Sequence, residues 1–280
     1  MAGTRRSRAP GGLRFVAGDV PDDVAMAVSA GAACLFLSPH LDDAVLSCGA
    51  LLRTLSGRCA VTVATAFTTA GPPPHTFAAR SFLRQCSVSD AAALFAARRA
   101  EDQRVLADLG AAHVHLGFAD ALFRRRTVPA PLASLAGRLP PELVHRYPTY
   151  RFDIAKGRIA RGDRSLIATL TGAVAHQVRQ TGARLVFCPL GVGRHVDHLV
   201  VRALGERFPE CVVYYADFPY NQHAVPDPEF VRRNRLAPWS WAAGIDAKAD
   251  LIRGYRTQAD AMFPNGRIPA VPETYYSVRS

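Results

Sequence analysis

The chain has 280 residues, of which 49% are apolar and 20% charged, and this balance predicts a packed globular protein rather than a disordered or fibrous one. It contains no run of about 18 apolar residues, so no membrane-spanning helix is expected. The net charge of +11 would suit nucleic acid, but the arginines are dispersed and no zinc-finger, RNP-type or basic-zipper spacing is present. Nucleic acid is therefore not the expected partner.

The six cysteines form no CxxC pair and most lie in or beside apolar runs, which predicts reduced, buried side chains and a cytoplasmic location. Near the N-terminus, arginines are followed by Pro10-Gly11-Gly12 rather than by an apolar signal region. Residues 1–30 are therefore expected to form a tail and an entry segment, and residues 31–280 a single domain. The sequence leaves the oligomeric state open.

Strand-like and helical patterns alternate along the chain. Apolar runs typical of buried strands lie at 33–37, 59–67, 113–118, 184–189 and 211–215. Helical spacing of apolar residues predicts helices at 22–29, 43–55, 89–109 and 165–180, a further helix that ends near 208, and a last helix at 245–262. This alternation is typical of βαβ units, so we expect an α/β protein with a Rossmann-like, mostly parallel sheet flanked by helices.

Two stretches lack such a pattern. Residues 119–163 follow the third predicted strand and are expected to be a long insertion, because weakly patterned stretches of this length are usually functional or inserted. Residues 216–240 contain four prolines and are expected to be a loop. Both stretches are expected to shape a pocket.

Metal-ligating side chains cluster after two of the predicted strands. His40-Leu41-Asp42-Asp43 follows the first strand, and His195-Val196-Asp197-His198 follows the fourth. In an open α/β sheet, sites lie outside the carboxyl ends of the strands, so the two clusters would face one crevice. Either cluster alone is explained equally well by helix caps and satisfied polar residues, and Asp43 suits a cap. Their matching positions favour a shared site.

Together the clusters offer three imidazoles and three carboxylates, which is more than a metal needs. A catalytic zinc site uses three protein ligands and keeps a position open for water, and a histidine-rich set suits zinc or ferrous iron better than magnesium or calcium. The surplus groups are then available for proton transfer from metal-bound water and for stabilising an oxyanion.

These residues resemble the motifs of a known family. Pro39-His40-Leu41-Asp42-Asp43 and His195-Val196-Asp197-His198 are similar to the paired motifs of the PIG-L/LmbE-like N-deacetylases. Arg98-Arg99-Ala100-Glu101 before Leu109-Gly110, Leu116-Gly117-Phe118-Ala119-Asp120, and Lys248 with Tyr255-Arg256-Thr257-Gln258 are weaker similarities. The resemblance extends from about residue 34 to residue 262.

The resemblance implies a role for each matching residue. Zinc, with ferrous iron as an alternative, would be held by His40, Asp43 and His198. Asp42 would be the general base, and His195 would stabilise the tetrahedral transition state or protonate the departing amine. Asp197 would orient a histidine.

The sequence departs from the family pattern at two positions. Leu41 replaces the usual proline, which removes no ligand. Gly193 stands where some members have a mobile tyrosine. The role of that tyrosine is therefore absent or supplied by another residue, for which the 119–163 insertion is one source.

The implied activity is hydrolysis of an N-acetyl or other N-acyl group on an amino-sugar-containing small molecule through metal-bound water. A zinc amidase acting on a thiol conjugate or another non-sugar amide is an alternative, as is a non-catalytic sugar- or nucleotide-binding module.

Candidate substrate contacts lie outside the two clusters. Asp120, which could equally be a turn residue, follows the third strand, and Arg80 and Tyr220 are further candidates. Near the C-terminus, Glu273, Tyr275 and Tyr276 are candidates to close over the site.

Overall fold

A computed structural model describes residues 20–127 and 138–278. Its centre is a seven-stranded sheet, whose strands are β1 (Cys34–Ser38), β2 (Val61–Thr69), β3 (Ala112–Ala119), β4 (Leu185–Pro189), β5 (Val212–Tyr215), β6 (Leu236–Trp241) and β7 (Glu273–Val278). Their order is β3-β2-β1-β4-β5-β7-β6, in which the first five strands run parallel and β7 pairs antiparallel with both β5 and β6. The predicted α/β class and mostly parallel sheet are confirmed.

Helices pack on both faces of the sheet. They are α1 (Asp22–Ser29), α2 (Asp43–Ser56), α3 (Phe77–Gln85), α4 (Ala91–Asp108), α5 (Pro141–Val144), α6 (Arg164–Thr181), α7 (Val196–Gly205), α8 (Pro228–Arg233), α9 (Lys248–Arg253) and α10 (Arg256–Met262). None of the helices in the described ranges is long and apolar enough to cross a membrane.

The first strand divides the core into two layers. All five residues of β1 are buried, and its side chains alternate between the faces of the sheet. Phe36 packs with residues of α2 and α4 on one face, whereas Leu35 and Leu37 pack with residues of α6 and α7 on the other. A strand buried on both faces must be apolar throughout, which is why β1 shows no polar alternation.

The sheet order brings the two polar clusters together. From β1 the chain moves outward through β2 and β3, and it then returns to place β4 on the other side of β1. Cys34 of β1 pairs with Val61 of β2 and with Leu185 of β4, so all three strands end at the same edge. The switch in direction between β1 and β4 opens the crevice in which α/β proteins bind ligands.

The structure corrects several predicted elements in the C-terminal third. Residues 216–240, expected to be a loop, contain α8 and the edge strand β6, where Pro238 is tolerated. The single helix expected at 245–262 is two helices, α9 and α10, separated at Gly254-Tyr255. The sequence prediction also missed β7 in this third and, much earlier in the chain, α3.

The expected insertion at 119–163 is partly structured. It contains α5 and single helical turns at Ala121–Phe123, Tyr150–Ile154 and Arg161–Asp163, while residues 128–137 lie outside the described ranges. Residues 1–19, the larger part of the expected N-terminal tail, also lie outside them. All six cysteines are free, as predicted, but only Cys34, Cys48 and Cys188 are buried, and the other three are partly exposed.

Candidate active site

The turn after β1 is held by the hydroxyl of Ser38. This hydroxyl donates to the carbonyl of His40 at 2.6 Å and accepts from the amide of Ala44 at 3.0 Å. The Ala44 bond satisfies one free donor at the start of α2, and the amide of His40 donates to Oδ2 of Asp43 at 2.8 Å, which closes the turn before the helix. These bonds fix the polar side chains of the turn at the carboxyl end of the strand.

The second cluster lies where β4 leads into α7. Gly191, Gly193 and Arg194 have positive φ angles, which turn the chain sharply before the helix. His195 is the N-cap of α7, and His198 lies in its first turn. Both histidines are therefore positioned by a rigid element directly beside the turn after β1.

The two clusters converge on one point. The ring centroids of His40, His195 and His198 lie 5.0 to 5.3 Å apart. Oδ2 of Asp43 lies 3.1 Å from Nδ1 of His40 and 3.3 Å from Nε2 of His198. Oδ2 of Asp43 thus contacts one nitrogen of each imidazole, and ligand atoms of His40, His195 and His198 lie within 4.8 Å of one another.

The far nitrogen of each of these two imidazoles is held by another carboxylate. Nδ1 of His198 lies 2.7 Å from Oδ1 of Asp217, and Nε2 of His40 lies 3.2 Å from Oδ2 of Asp197. Such pairs fix the tautomer and the orientation of metal-binding histidines. The donor set of two histidines and one carboxylate therefore fits a zinc or ferrous ion.

Sequence reasoning missed Asp217. It follows β5 at the same edge of the sheet as the two clusters, and this position was the available signal. It lies alone among aromatic residues, from Tyr214 to Tyr220, and shares no short motif with the other ligand-type residues. In the structure Tyr214 and Tyr215 are buried in the core.

Asp197 is the centre of a buried ion-pair network beneath the cluster. The guanidinium of Arg124 pairs with Asp197 and, at 2.8 Å, with Asp163, and the amide of Ala121 donates to Asp197 at 2.8 Å. Burial opposes ionisation, but the charges of Arg124 and His40 hold the pKa of Asp197 below its ordinary value. Asp197 is therefore an anion that contacts His40, and its contact with His195 is through its own amide.

Asp42 differs from Asp43 in having an unbonded carboxylate. Within the described residues its side chain accepts no hydrogen bond, although it is only 7% exposed and lines the cleft. Burial and the adjacent charge of Asp43 raise the pKa of Asp42 to about 7. A carboxylate with free lone pairs in a cleft is suited to accepting a proton.

His195 presents a donor to the cleft. The amide of Asp197 donates to Nδ1 of His195 at 3.3 Å, so the neutral ring carries its proton on Nε2. Burial, followed by the nearby rings of His40 and His198, lowers the pKa of His195 well below its ordinary value. The neutral imidazole can therefore donate a hydrogen bond from Nε2.

The cleft above these groups has a volume of about 200 Å³. Asp120 and Tyr220 line it, and the ring of Tyr220 stands edge-on to His198 at 5.7 Å. Arg80 does not line it: this residue is exposed on α3, and its guanidinium donates to the carbonyl of His75 at 2.8 Å. The structure thus brings two of the three candidate substrate contacts to the cleft.

An unpartnered arginine also lines the cleft. Arg98 is 9% exposed, and its Nε has no hydrogen-bond partner among the described residues. Its guanidinium lies over the rings of Phe82 and Phe95 at 5.2 and 5.8 Å. A buried guanidinium without an acceptor is costly, so the group is suited to binding an oxygen of a ligand.

The C-terminal helix α10 is attached to α4 and to the turn after β1. Glu101 of α4 accepts from the amide and hydroxyl of Thr257, and the side-chain amide of Gln258 donates to the carbonyl of Leu41 at 2.7 Å. By contrast, Glu273 and Tyr275 do not close over the site. They are buried, and the carboxylate of Glu273 accepts from backbone amides of α2.

Comparisons with known proteins show which family the chain resembles. A family model described as PIG-L, GlcNAc-PI de-N-acetylase, matches residues 35–208. A 2'-N-acetylparomamine deacetylase from Streptomyces fradiae is 30% identical over 238 residues, which cover 81% of this chain and 73% of that protein.

Solved structures share the fold. A deacetylase–teicoplanin complex from the biosynthesis pathway of teicoplanin has a TM-score of 0.66 at 22% identity, with 89% of this chain and 99% of that chain covered. The A40926 pseudoaglycone deacetylase Dbv21 has a TM-score of 0.62 at 22% identity, with 87% and 96% covered.

Proposed function

Because the chain belongs to the PIG-L family of hydrolytic N-deacetylases, we propose that it removes an N-acetyl or other N-acyl group from an amino-sugar-containing small molecule or glycoside, and that zinc is its metal. The observation that carries this proposal is the convergence of His40, Asp43 and His198 beside the unbonded carboxylate of Asp42. Ferrous iron suits the same donors and is the alternative metal.

The proposed ligands are His40 through Nδ1, Asp43 through Oδ2 and His198 through Nε2. This assignment is supported by the carboxylates on the far nitrogens of both imidazoles. When bound, the metal supplies Lewis acidity toward the acyl carbonyl oxygen and lowers the pKa of water.

The surrounding side chains then transfer protons and stabilise charge. Asp42 accepts a proton from the attacking water and delivers it to the departing amine nitrogen, and its unbonded carboxylate supports this role. His195 donates from Nε2 to the oxygen that becomes negative as the carbonyl carbon turns tetrahedral. Asp197 and Asp217 hold the two imidazole ligands in place.

The sugar is proposed to bind through hydrogen-bonding groups on the cleft wall. The carboxylate of Asp120 accepts from sugar hydroxyls, and the guanidinium of Arg98 donates to sugar oxygens. The lack of an acceptor for Nε of Arg98 among the described residues supports its assignment. The ring of Tyr220 forms an apolar side of the cleft.

The relatives support an amino sugar that is part of a larger molecule. One relative is described as a deacetylase of N-acetylparomamine, and the solved structures include a deacetylase in complex with teicoplanin. Free, reduced cysteines support the proposal of a cytoplasmic protein.

The test combines metal analysis with acetate release. The purified protein is expected to contain about one zinc per chain and to release acetate from N-acetylglucosamine derivatives in a chelator-sensitive reaction. A panel of N-acetylated thiol conjugates and other non-sugar amides is measured in parallel. Turnover of those amides with none of the sugars would contradict the amino-sugar assignment, and ligand binding without any product would contradict an enzyme.

The variant Asp42→Asn tests the proposed general base separately from metal binding. This variant is expected to keep its metal, because Asp42 is not a proposed ligand, and to lose about 10²- to 10⁴-fold in kcat, because the general base is removed. Metal content and initial rates are measured on the same preparation. Full activity in Asp42→Asn would exclude Asp42 as the base.

A further inference from the structure

A second cavity of about 600 Å³ opens beside the active-site cleft. We call it the aromatic groove; it lies between helix α3 and residues 148–152, and its walls include Phe77, Phe82, Tyr150 and Phe152. Residues 148–152 belong to the 119–163 stretch that is expected to shape a pocket, and the proposed chemistry gives the groove no role. The residues that line both of its walls belong to the described ranges.

Hydrogen bonds hold both walls of the groove in place. On α3, Ala79 and Leu83 are buried, and the opposite face turns Phe77, Ser81 and Gln85 toward the groove. The start of α3 is tied to the other side, because the carboxylate of Glu142 accepts from the amide of Phe77 at 2.8 Å. The groove is therefore largely preformed.

The second wall is fixed by a side-chain cap. The amide and hydroxyl of Thr149 donate to Oδ2 of Asp153 at 2.8 and 2.6 Å. These bonds hold the single helical turn at Tyr150–Ile154, which carries Tyr150 and Phe152. The aromatic rings therefore project from a constrained backbone rather than from a free loop.

The groove exposes large apolar side chains to solvent. Phe77 is 65% exposed, Phe152 71% and Tyr150 48%. A single exposed apolar residue needs no explanation, but a group of aromatic residues at the mouth of a cleft is typical of a ligand-binding surface. The groove is thus suited to an apolar or aromatic ligand.

The groove is continuous with the active-site cleft, because Phe82, Gln85 and Tyr150 line both. The cleft alone, at about 200 Å³, is smaller than the roughly 300–1,000 Å³ of typical small-molecule sites. The cleft therefore suits the reacting part of a substrate, and the remainder of that substrate must extend outward.

The position of Arg98 indicates which part of the substrate extends. Its guanidinium lies 5.2 Å from the centre of the Phe82 ring, at the junction of cleft and groove. Under the proposed function, on which this inference rests, Arg98 binds the oxygens of the amino sugar. A group that continues from the sugar past Phe82 is the aglycone rather than the acyl chain.

Charge disfavours a polycationic aglycone. Glu142 and Arg151 are the charged residues in the described lining of the groove, and they have opposite signs. The whole chain has a net charge of +11, which repels cations at long range. We propose that the aromatic groove binds an uncharged apolar or aromatic ring system joined to the amino sugar, so that the substrate is a glycoside rather than a free sugar.

The test compares aglycones on one reacting sugar. Rates are measured for N-acetylglucosamine and for its methyl and 4-nitrophenyl glycosides, as both anomers. In the native enzyme, kcat/KM is expected to be about tenfold higher for the 4-nitrophenyl than for the methyl glycoside, because the added ring packs in the groove. Phe77→Ala and Phe152→Ala are each expected to lower this ratio about fivefold, mainly through KM.

Val225→Ala is the matched control, because Val225 is 83% exposed and lines neither the groove nor the cleft. It is expected to leave the ratio unchanged. An unchanged ratio in both phenylalanine variants would overturn the proposal. A second series with N-octanoylglucosamine tests whether the groove binds the acyl chain instead. If the phenylalanine variants lower kcat/KM for that substrate but leave the ratio of 4-nitrophenyl to methyl glycoside unchanged, the groove binds the acyl group and the proposal is wrong.

Failure of the proposed function would be seen separately. If neither the N-acetyl sugars nor N-octanoylglucosamine is hydrolysed, the proposed function has failed, and the groove is then tested by calorimetric titration of 4-nitrophenyl N-acetylglucosaminide. Weaker binding to Phe152→Ala than to the native protein would support the groove even then. Equal affinities would overturn it independently of turnover.

Discussion

At the scale of single residues, the orientation of His198 depends on a carboxylate from another strand. Asp217 follows β5, and its Oδ1 lies 2.7 Å from Nδ1 of His198, while its Oδ2 accepts from the amide of Val192 at 2.7 Å. The bond from Val192 fixes the carboxylate of Asp217, and the contact with Nδ1 fixes the ring of His198. Nε2 of His198 is thereby kept available to the space shared with Asp43.

Asp217→Asn is expected to weaken metal affinity by about 10- to 100-fold, because an amide is a weaker partner for the imidazole and can reverse its tautomer. The affinity is measured by competition with a chromophoric chelator. Asp246→Asn, which changes an exposed aspartate, is the control and should bind metal normally. Normal affinity in Asp217→Asn would show that the ring is oriented by packing alone.

Gly193 permits the close approach of Tyr220 to the site. Its φ angle is +83°, and a Cβ atom at this position would lie 2.7 to 2.9 Å from the side chain of Tyr220. Any larger residue must therefore both adopt a left-handed backbone and displace the ring that stands edge-on to His198. Glycine at position 193 therefore lets the ring of Tyr220 take its place in the wall of the cleft.

Gly193→Ala is compared with Gly244→Ala. Gly244 has a φ angle of +74°, and a Cβ atom added to it would meet no described atom within 4 Å, so both variants should lose about 1–2 kcal/mol from the left-handed backbone. Only Gly193→Ala is expected to lose activity as well, because Tyr220 must move. Chemical denaturation and acetate release check the two effects. Equal activities in the two variants would show that the position of Tyr220 does not matter for turnover.

At the scale of elements, α10 holds the turn that carries Asp42. Gln258 donates to the carbonyl of Leu41 at 2.7 Å, and Thr257 binds Glu101 of α4. The helix is thus a brace between α4 and the turn after β1. It is also a wall of the cleft, since both residues line it.

Gln258→Ala is expected to destabilise the fold by about 1–3 kcal/mol, because the buried carbonyl of Leu41 loses its partner. It should also lower kcat more than it raises KM, since the displaced residue is the proposed base rather than a sugar contact. Asp260→Ala changes an exposed residue of the same helix and is the control. A loss of stability with unchanged kcat would limit Gln258 to a structural role.

The sequence predicted the elements around the site better than those at the edge of the sheet. β1 and β4 are buried apolar runs that end at polar clusters, so both their type and their position at one crevice could be inferred. β6 and β7 are strands of mixed polarity at one edge, and Pro238 lies within β6, which removed the usual strand signal. Their place in the sheet depends on the pairing of β7 with β5, which the sequence does not display.

The same limit applies to the site. His40, Asp42, Asp43, His195 and His198 could be selected because they share two short motifs. Asp217 and Tyr150 could not, because each comes from a separate segment and reaches the site only through the fold. Arg98 was noted within a motif, but its lack of a partner is visible only when its neighbours among the described residues are known.

At the scale of the whole molecule, the hydrophobic core and the proposed metal site are separate structures. The apolar clusters on the two faces of the sheet contain none of the proposed ligands, and each is built from helices that pack on buried strands. The ligands lie at the carboxyl edge of the sheet, above these layers. Stability from apolar burial should therefore persist when the metal is removed.

Chelation is expected to lower the melting temperature without abolishing cooperative unfolding. A ligand at a hundred times its Kd stabilises the folded state by about 2.7 kcal/mol, which corresponds to roughly 5–8 °C for a chain of this size. Calorimetry with and without zinc measures the shift. Asp42→Asn should show the same shift as the native protein, whereas Asp43→Asn should show almost none, because only the second variant lacks a ligand. If the chelated protein has no cooperative transition, the metal is needed for folding, and the separation of core from site is wrong.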